Sequence, residues 1–518
     1  MRVKAGLDFG TTTSTLSFIE DGALTHFRYG GDTGRGTPYV PTAVAYFADD
    51  LQIGQFALDY SEDATLHRFF KMALPRDPFP SDSRSAQELT ADFIGELIKG
   101  ISPARAHLSD PTNPLSFQEF AHHEIESLVV SVPHIWEKEA VRGRQRLETV
   151  VREVLNLTSI KLISEPVAAA AYFSYSYKQA KNADYRGNLL VCDMGGGTFD
   201  VTLCRLKPDH VKVLQNDGSG QGSAGMYFDR SLISFCFGDN IEERELVSLL
   251  RQLDDQKNNP GRKNNLERSL KGKSTNLPIY TLTSAGETRH IRLDLIERAF
   301  APIRQDIFAV LKRLQTAADD SGEQIDKIIL VGGFSRFPLV QQSICEFFGE
   351  DIDQRKRVDL ESFGPDNIAF AISYGACLVA NNIVTVSERY QHTIGITVTD
   401  AYGQDIALPL VVAGNDRDQL LTPQFGSINE KEMLTFTLSQ PSLEVEVFIR
   451  KSGDLEENRI VRTVKIEVPH FSRTNSWTLG ARIDYSKEPF LTIRDREFSE
   501  TQEISMKEHF PELLENLE

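Results

Sequence analysis

Two short runs of the sequence combine residue types that suit a bound polyphosphate. The runs are Asp8–Thr12 and Asp193–Asp200. Each places a carboxylate at the end of a predicted strand, followed by glycines whose bare backbone N–H groups can turn towards an anion, and then a hydroxyl. Because a carboxylate can also hold a metal ion beside phosphates, the pair of runs predicts a cleft that grips a polyphosphate between two related lobes.

A third segment, Leu330–Arg336, also ends a predicted strand in glycines. A flat ligand can lie close to such a backbone, and the guanidinium of Arg336 can stack on it. One Asp-x-Gly-Thr run alone is more typical of a turn without function, but two runs at matched positions favour the cleft. Hydrolysis of a nucleoside triphosphate needs phosphate donors, Mg²⁺ and a placed water. Asp8 and Asp193 would hold the Mg²⁺ mainly through its waters.

The composition is that of a globular protein with an acidic balance. Of the 518 residues, 40% are hydrophobic and 25% are charged, and the formal net charge is −18. This balance argues against binding to nucleic acid or to an anionic membrane. The sequence shows neither a membrane-span pattern nor a signal-type apolar segment, so we expect a cytoplasmic protein. The five cysteines lack the spacing of a metal site, which favours buried thiols.

Strand and helix patterns alternate from the N-terminus to about Val384, which predicts an α/β layer fold. We expect strands and helices at Val3–Asp8, Thr15–Glu20, Ser85–Ile101, Leu128–Val132, Trp136–Leu155, Leu189–Asp193, Thr198–Leu206, Val211–Leu214, Leu293–Leu314, Lys327–Val331 and Phe337–Phe347. The two halves begin in the same way, which indicates a distant internal duplication. Such a duplication places Asp8 and Asp193 at equivalent strand ends.

The pattern changes after Val384, because strand-like runs replace helical ones from His392 onward. A separate β-sandwich is the simplest account. We therefore predict a nucleotide-binding domain at residues 1–384, a linker at 385–391, a β-sandwich at 392–500, and a short acidic tail at 501–518 that contains one helix.

These elements, with Ile163–Ala170 between them, resemble the actin-type ATPase domain of the 70-kDa heat-shock chaperone family. The similarity extends to Phe70–Lys71, Val132–Pro133, Pro365–Asp366 and Tyr374–Ala376. The resemblance implies a two-lobed actin-like fold, a duplicated mixed sheet with helices, followed by an all-β peptide-binding sandwich. It also implies that the protein binds ATP or ADP with Mg²⁺ and hydrolyses ATP slowly.

The resemblance also assigns roles to single residues. Lys71 would reach the γ-phosphate, and Asp8, Glu165 and Asp193 would arrange the metal and the attacking water. Thr198 would donate a hydrogen bond from its hydroxyl to a phosphate, and it is the fifth of the predicted catalytic residues. The resemblance assigns nucleotide binding to Gly10, Thr11, Thr12, Gly195, Gly196, Gly197, Asp200, Gly332, Gly333, Arg336 and Asp366. Taken singly, Lys71 is more typical of a solvated lysine, and Glu165 of a carboxylate at a helix N-terminus.

A helix that grips base and ribose in this family has only candidate positions in this chain. They are Glu267, Lys271 and Ser274, within and beside a basic segment at Arg251–Lys273 that is otherwise typical of a solvated helix face. The run Gly272–Ser274 resembles the end of a P-loop. We reject that interpretation, because Glu267 stands where the first glycine belongs and no strand precedes it.

The chain departs from the family pattern in three places. Phe334 stands where a small residue is usual, so we expect a tighter or differently shaped base pocket. The chain stops about where a helical lid would begin, and Ile383–Arg389 replaces the usual leucine-rich acidic connector. A lidless protein should release bound peptide quickly, and the polar connector puts coupling between nucleotide and peptide in question.

The leading hypothesis is an ATP-hydrolysing chaperone in protein folding and the stress response, which binds extended polypeptide under control of its ATP or ADP state. A co-chaperone or exchange factor would be a further partner. The alternative is an ATP-sensing scaffold for one dedicated client. A carbohydrate kinase of the same fold lacks a sugar-site signature, and the added β-domain would obstruct an actin-like filament.

Overall fold

We analysed a computed structural model of the chain. It describes residues 2–29, 39–47, 51–59, 65–75, 84–99, 124–137, 141–155, 157, 159–220, 224–272, 278–284, 286–363, 368–388, 390, 392–399, 402–413, 415, 417–425, 427–429, 432–433, 435–437, 440–451, 459–468, 476–484, 488–495, 501–506 and 509–510.

The described residues form strands, helices and short 3₁₀ turns in an α/β order that becomes all β towards the C-terminus. The strands are β1 Arg2–Asp8, β2 Thr13–Glu20, β3 Ala23–His26, β4 Val40–Pro41, β5 Ala43–Tyr46, β6 Leu51–Ile53, β7 Thr65–Arg68, β8 Glu124–Val132, β9 Ser159–Ser164, β10 Gly187–Met194, β11 Phe199–Lys207, β12 His210–Ser219, β13 Tyr280–Ser284, β14 Glu287–Ile291, β15 Lys327–Val331, β16 Val358–Asp359, β17 Thr385–Ser387, β18 His392–Thr399, β19 Asp405–Val411, β20 Gln424–Phe425, β21 Ser427–Asn429, β22 Glu432–Met433, β23 Thr435–Thr437, β24 Ser442–Lys451, β25 Ile460–Glu467, β26 Ser476–Ile483, β27 Pro489–Asp495 and β28 Thr501–Ser505. The helices are α1 Gly54–Asp59, α2 Ala86–Lys99, α3 Val141–Leu155, α4 Glu165–Lys181, α5 Gly225–Phe237, α6 Glu243–Lys257, α7 Pro260–Leu270, α8 Leu293–Asp320, α9 Pro338–Phe347 and α10 Ala371–Ala380.

The chain divides into two compact units. The first comprises Met1–Glu137, Arg142–Val211 and Gln215–Val386, and the second is principally Ser387–Glu518. Two six-stranded sheets form the framework of the first unit, and smaller sheets formed by β5–β7 and by β13–β14 accompany them.

The two large sheets share one topology. The first runs β3-β2-β1-β8-β9, and the second contains the order β12-β11-β10-β15-β16. In both, a central strand pairs antiparallel with the next strand of the chain and parallel with a later one, as β1 does with β2 and β8 and β10 does with β11 and β15. Asp8 ends β1, and Asp193 is the penultimate residue of β10, so the duplication places both carboxylates at equivalent strand ends.

Two glycines allow α10 to pack tightly against its neighbours. A Cβ on Gly6 of β1 would lie 2.2 Å from the backbone N of Cys377, and a Cβ on Gly375 would lie 1.7 Å from the carbonyl oxygen of Ala168 in α4. The hydroxyl of Ser373 lies 3.0 Å from that of Thr15 and 2.8 Å from that of Ser17. These contacts hold α10 against the strand that ends in Asp8 and against the helix that begins with Glu165.

The second unit is all β in its described part, apart from a 3₁₀ turn at Arg417–Leu421. Its larger sheets run β19-β18-β24-β25 and β20-β26-β27-β28, with β23 pairing with β26. Side chains from both sheets, including Ile396, Val447, Trp477 and Ile493, form one buried hydrophobic cluster. A buried ion pair joins Arg417 Nη1 to Glu388 Oε2 at 3.0 Å.

Several elements differ from the sequence expectation. The helix expected from Trp136 begins at Val141 instead, because His134–Glu137 forms a 3₁₀ turn that buries Trp136. Residues 501–505, expected in an acidic tail, form β28 and pair with β27. Most of the helix expected there lies outside the described residues. No described helix has the length and the apolar character needed to cross a bilayer.

Candidate functional site

Lys71 and Glu165 form a buried ion pair. Lys71 Nζ donates a hydrogen bond to Glu165 Oε1 at 2.7 Å, and only 1% of the lysine side chain is exposed. Glu165 is the first residue of α4 and precedes Pro166, a residue that favours the first helical turn. A carboxylate at this position also interacts favourably with the helix dipole. Lys71 is therefore a fixed cation rather than a solvated side chain.

The short turn that carries Lys71 is held at both ends. Phe69 precedes the Phe70–Ala73 turn in the left-handed region, with φ 62°, which is uncommon for a bulky residue. Beyond the turn, Arg146 Nη1 of α3 donates to the carbonyl oxygen of Leu74 at 2.6 Å. Backbone strain of this kind is often found at functional sites, where the surrounding structure maintains it.

Two aromatic rings flank the ammonium group of Lys71. Its Nζ lies 5.7 Å from the ring centroid of Phe9 and 5.7 Å from that of Trp136. Both rings are buried. Rings at this distance attract a cation and exclude water from it. Phe9 follows the carboxylate of Asp8, and Trp136 belongs to the 3₁₀ turn after β8, so elements of the first sheet surround the lysine.

Asp8 is partly buried and accepts a hydrogen bond from the Ser131 hydroxyl at 3.0 Å. Burial, and then repulsion from Glu165, raise the pKa of Asp8 to about 7, while Lys71 and Ser131 act in the opposite direction. Desolvation disfavours the charged form of a carboxyl group, and a nearby cation restores it. The Asp8 site is therefore one in which a bound cation would be stabilised.

Asp193 and Asp200 face each other across the β10–β11 pair. Burial and the carboxylate of Glu165 raise the pKa of Asp193 well above its usual value, with Asp200 and Asp8 adding to the effect. Burial and Glu165 also raise the pKa of Asp200 to about 7. The backbone N–H of Ile135 donates to Asp200 Oδ1 at 2.8 Å. The Oδ2 atoms of Asp193 and Asp200 are buried without a hydrogen-bond partner.

Gly332 lies directly against Asp193. A Cβ at this position would stand 2.5 Å from Asp193 Oδ1 and 2.6 Å from the carbonyl oxygen of Met194, and its φ of +83° also favours glycine. In contrast, a Cβ on Gly333 would meet nothing within 4 Å. Gly332 thus makes room for the Asp193 carboxylate, and Gly333 leaves open space beside the site.

The two glycine-containing loops touch each other. A Cβ on Gly196 would lie 2.8 Å from Thr12 Cγ2, and a Cβ on Gly197 would lie 2.3 Å from Met72 Sδ and 2.8 Å from Thr11 Oγ1. Gly10 makes room within its own loop, because a Cβ there would lie 2.1 Å from the carbonyl oxygen of Thr13. The sequence predicted that these loops face one another, and the structure places them in contact.

The loop at 195–197 also meets the N-terminus of α5. The backbone N–H groups of Gly225 and Met226 donate to the carbonyl oxygens of Gly195 and Gly196 at 3.1 and 2.8 Å. The loop is closed within itself, because Gly195 N–H donates to the Thr198 carbonyl at 3.3 Å. The Thr198 side chain lowers the pKa of Asp200, so Thr198 lies beside the carboxylate cluster.

Phe334 is buried in an aromatic cluster. Its ring lies 5.1 Å from that of Phe337 and 5.5 Å from that of Phe228 in α5, measured between centroids. A Cβ on Gly225 would stand 3.1 Å from the Phe334 ring, so the lack of a side chain at the start of α5 leaves room for this ring. Arg336, two residues further on, is exposed. The large residue at position 334 thus fills space behind the loop.

Of the remaining residues predicted from the resemblance, Glu267 and Lys271 lie among the described residues. Lys271 follows the end of α7 and forms an exposed ion pair with Asp353 at 2.9 Å, while Glu267 lies one turn earlier. The described ion pair of Lys271 is therefore with Asp353 and not with a carboxylate of the site. Ser274 and Asp366 lie outside the described residues.

Four residues of the site were not selected from the sequence: Ser131, Trp136, Met72 and Ile135. Ser131 and Ile135 flank the Val132–Pro133 pair, and Met72 follows Lys71, so their proximity to recognised motifs was the available signal. Their contacts depend on tertiary packing. Serine hydroxyls, methionines and backbone N–H groups carry no spacing pattern of their own.

The arrangement combines one fixed cation, three buried carboxyl groups and one partly buried one, and two loops rich in backbone donors. Such a site suits an anion that arrives with a divalent cation, since the donors bind phosphate oxygens and the carboxylates bind hard cations through oxygen. Among the described residues, no group of three or more His, Cys, Asp or Glu side chains is placed to chelate a metal directly.

Comparisons with known proteins point to one family. A family model described as Hsp70 protein matches residues 116–473, more than half of the chain. The chaperone protein DnaK of Deinococcus deserti is 24% identical over 98% of this chain and 79% of its own length. The chaperone protein dnaK of Thalassiosira pseudonana is 26% identical over 79% of this chain and 69% of its own length. The stromal 70 kDa heat shock-related protein of Pisum sativum, named chloroplastic, is 27% identical over 67% of this chain and 50% of its own length.

Proposed function

This chain belongs to the 70-kDa heat-shock protein family, and on that premise we propose that it is an ATP-hydrolysing chaperone that binds extended polypeptide under control of its bound nucleotide. The observation that carries the proposal is the cluster of Lys71 and Glu165 with Asp8 and Asp193, at the equivalent ends of β1 and β10. Membership of the family, together with this geometry, supports the ATP-dependent activity.

The buried carboxylates fit a magnesium ion. The unpartnered Oδ2 atoms of Asp193 and Asp200 and the raised pKa of Asp8 fit a site that binds a cation. Asp8 and Asp193 would hold Mg²⁺ through its water ligands, in keeping with the reluctance of Mg²⁺ to lose them. When bound, the ion would neutralise the charge on the β- and γ-phosphates.

The protein's own groups would bind and orient the triphosphate. The backbone N–H groups and hydroxyls of the Gly10–Thr12 and Gly195–Thr198 loops would donate to the phosphates. Lys71 would exchange its contact with Glu165 for one with the γ-phosphate, because a multiply charged anion attracts the ammonium group more strongly than a single carboxylate does. Glu165 and Asp193 would then orient the attacking water.

Adenosine would lie beside Gly332, Gly333 and Arg336, and Asp366 would border its far side. The open space next to Gly333 and the exposure of Arg336 support this position. Glu267, Lys271 and Ser274 stay candidates for contacts with base and ribose. The ion pair of Lys271 with Asp353 would have to open for such a contact.

The second unit would be a β-sandwich that binds peptide. It would follow the nucleotide-binding domain and the linker in the order predicted from the sequence. The shared hydrophobic cluster of its two sheets supports a sandwich. Extended peptide can bind a β-domain through backbone hydrogen bonds, with an apolar pocket selecting side chains. We propose a cytoplasmic location, with an exchange factor or co-chaperone as a further partner.

The test compares ATP hydrolysis by the parent protein with that of Lys71→Ala and Asp193→Ala. We expect Mg²⁺-dependent turnover that both substitutions abolish. Turnover in the variants equal to that of the parent would overturn the assignment of this site.

A panel of short apolar peptides then tests the chaperone role: broad binding supports it, and binding of one client alone would favour the dedicated scaffold.

A further inference from the structure

Met72 lies at the point where the two phosphate loops meet. Its side chain is buried, with 6% of the residue exposed. The Thr11 hydroxyl donates to Met72 Sδ at 3.5 Å. On the other side, the space that a Cβ on Gly197 would need is taken by the same sulfur, 2.3 Å away, and by the methyl carbon of Met72, 3.1 Å away. One thioether therefore contacts the loop after β1 and the loop after β10.

The thioether is a weak hydrogen-bond acceptor and carries no charge. It holds the hydroxyl of Thr11, a residue of the loop that would bind phosphate. A phosphate oxygen is a much stronger acceptor, because hydrogen bonds to charged groups are shorter and stronger than neutral ones. An arriving phosphate can thus take the hydroxyl from the sulfur without leaving a buried charge unpaired.

The backbone of Met72 joins this contact to Lys71. Met72 N–H donates to the carbonyl oxygen of Phe69 at 3.0 Å, and Phe69 is the residue in the left-handed region. This bond closes the turn around Lys71. The turn is held at Phe69 by this bond and at Leu74 by Arg146, so Met72 and Lys71 share one short constrained segment.

We propose that Met72 is a positioning residue that sets the separation of the two phosphate loops and couples the arrival of phosphate to the placement of Lys71. This inference rests on the proposed function, because it deepens the description of the same site. It concerns the phosphate end of the nucleotide alone.

The test measures the affinity of the full chain for ATP, ADP and adenosine in the presence of Mg²⁺. Met72→Ala removes the side chain that separates the loops, so we expect it to weaken ATP and ADP binding by about tenfold to a hundredfold, as misplacement of binding groups by about 1 Å can do. Adenosine affinity should stay unchanged, since adenosine has no phosphates. Met72→Leu keeps most of the volume and should lose less.

The matched control is Met506→Leu, which exchanges a methionine that is also buried but lies in the second unit. It should leave all three affinities unchanged. Equal weakening of ATP, ADP and adenosine in Met72→Ala would show a general structural role and overturn the inference, as would affinities equal to those of the parent. If Met72→Ala does not fold, Met72→Leu and Met72→Gln carry the same comparison of ATP with adenosine.

The outcomes separate this inference from the proposed function. If the parent binds ATP and the Met72 variants keep its preference for ATP over adenosine, only the role of Met72 fails. If the parent itself binds neither ATP nor ADP, the proposed function fails, and the inference about Met72 fails with it.

Discussion

The Nζ atom of Lys71 lies 2.7 Å from Oε1 of Glu165, and this ion pair joins the strained turn after β7 to the N-terminus of α4. The positive charge of Lys71 also acts to lower the pKa values of three further carboxyl groups, those of Asp8, Asp193 and Asp200. One cation among four carboxyl groups leaves the site short of positive charge. A bound Mg²⁺ ion would supply part of that charge, and the triphosphate that accompanies it would compete with Glu165 for Lys71.

Replacement of the lysine should remove activity. Lys71→Ala should lower the turnover number for ATP by at least about a hundredfold, because a positioned donor to the transition state is typically worth that much. It also leaves Glu165 buried without its partner, which costs about 3–5 kcal/mol of folding stability at such sites. Single-turnover hydrolysis and urea denaturation measure the two effects.

Lys178→Ala is the matched control for this substitution. Lys178 pairs with Asp209 at the surface, where the side chains are 43% and 54% exposed, so its loss should change neither turnover nor stability appreciably. If Lys71→Ala hydrolyses ATP as fast as the control does, Lys71 has no role in the reaction.

Gly332 and Gly333 offer a paired test of the third segment. Gly332→Ala should push a methyl group into the carboxylate of Asp193 and should also strain a backbone with φ of +83°, so we expect turnover to fall by about tenfold to a hundredfold. Gly333→Ala adds a methyl group in the open space that we assign to adenosine, so it should raise the KM for ATP but leave turnover at saturating ATP almost unchanged. Steady-state hydrolysis at saturating ATP measures both, and equal rates for the two variants would contradict the placement of Gly332 beside Asp193.

The stability of the protein without nucleotide should depend on pH through its buried carboxyl groups. Burial raises the pKa of Asp8 and of Asp200 to about 7, from a usual value of 3.8. Between these values the folded protein holds protons that the unfolded chain has lost. The free energy of unfolding should therefore fall as pH rises through this window, by up to about 1.4 kcal/mol per pH unit for each group, and then level off.

Urea denaturation from about pH 5 to about pH 8.5 measures this effect when the parent is compared with Asp200→Asn. The difference between the two proteins isolates the buried group from carboxyl groups such as Glu350 and Asp359, whose pKa values are lowered and which act in the opposite sense. The advantage of the variant over the parent should grow as pH rises. A difference that is constant with pH, or that shrinks, would contradict the prediction.

The close approach of α10 to α4 should make Gly375 sensitive to any side chain. A Cβ there would lie 1.7 Å from the backbone oxygen of Ala168, which cannot move without moving α4, so Gly375→Ala should cost about 3 kcal/mol or more of stability. Gly95→Ala in α2 is the control, because its Cβ would make an ordinary contact at 3.4 Å with Val154. Thermal denaturation of the two variants should show a large loss for the first alone.

Much of the framework of the site could be predicted from the sequence, because its strands carry strong local signals. The strands that end at Asp8 and Asp193 alternate or concentrate β-branched and apolar residues before a glycine turn, and they are present as β1 and β10. In contrast, β12 continues to Ser219, well beyond the expected Leu214. The run Gln215–Ser219 has turn-forming residues, and tertiary contacts override them, since Arg313 bonds to Asp217 at 2.7 Å.

Only some residues of the candidate site could be predicted from the sequence. Asp8, Lys71, Glu165 and Asp193 were found because each belongs to a recognisable motif. The hydroxyl of Ser131, the ring of Trp136 and the sulfur of Met72 reach the site through packing of distant segments, so no spacing in the sequence predicts them. Lys271, a candidate from its position in a basic segment, instead pairs with Asp353, a residue 82 positions away.

The most direct test of the central claim is a calorimetric titration of the purified full chain with ATP, in parallel with and without Mg²⁺, for the parent and for Asp193→Asn. We predict a single site in the parent whose affinity rises strongly with Mg²⁺, and a variant that loses this increase because one of the two carboxylates that would hold the ion is gone. Absence of any Mg²⁺-dependent uptake of ATP or ADP by the parent would contradict the account.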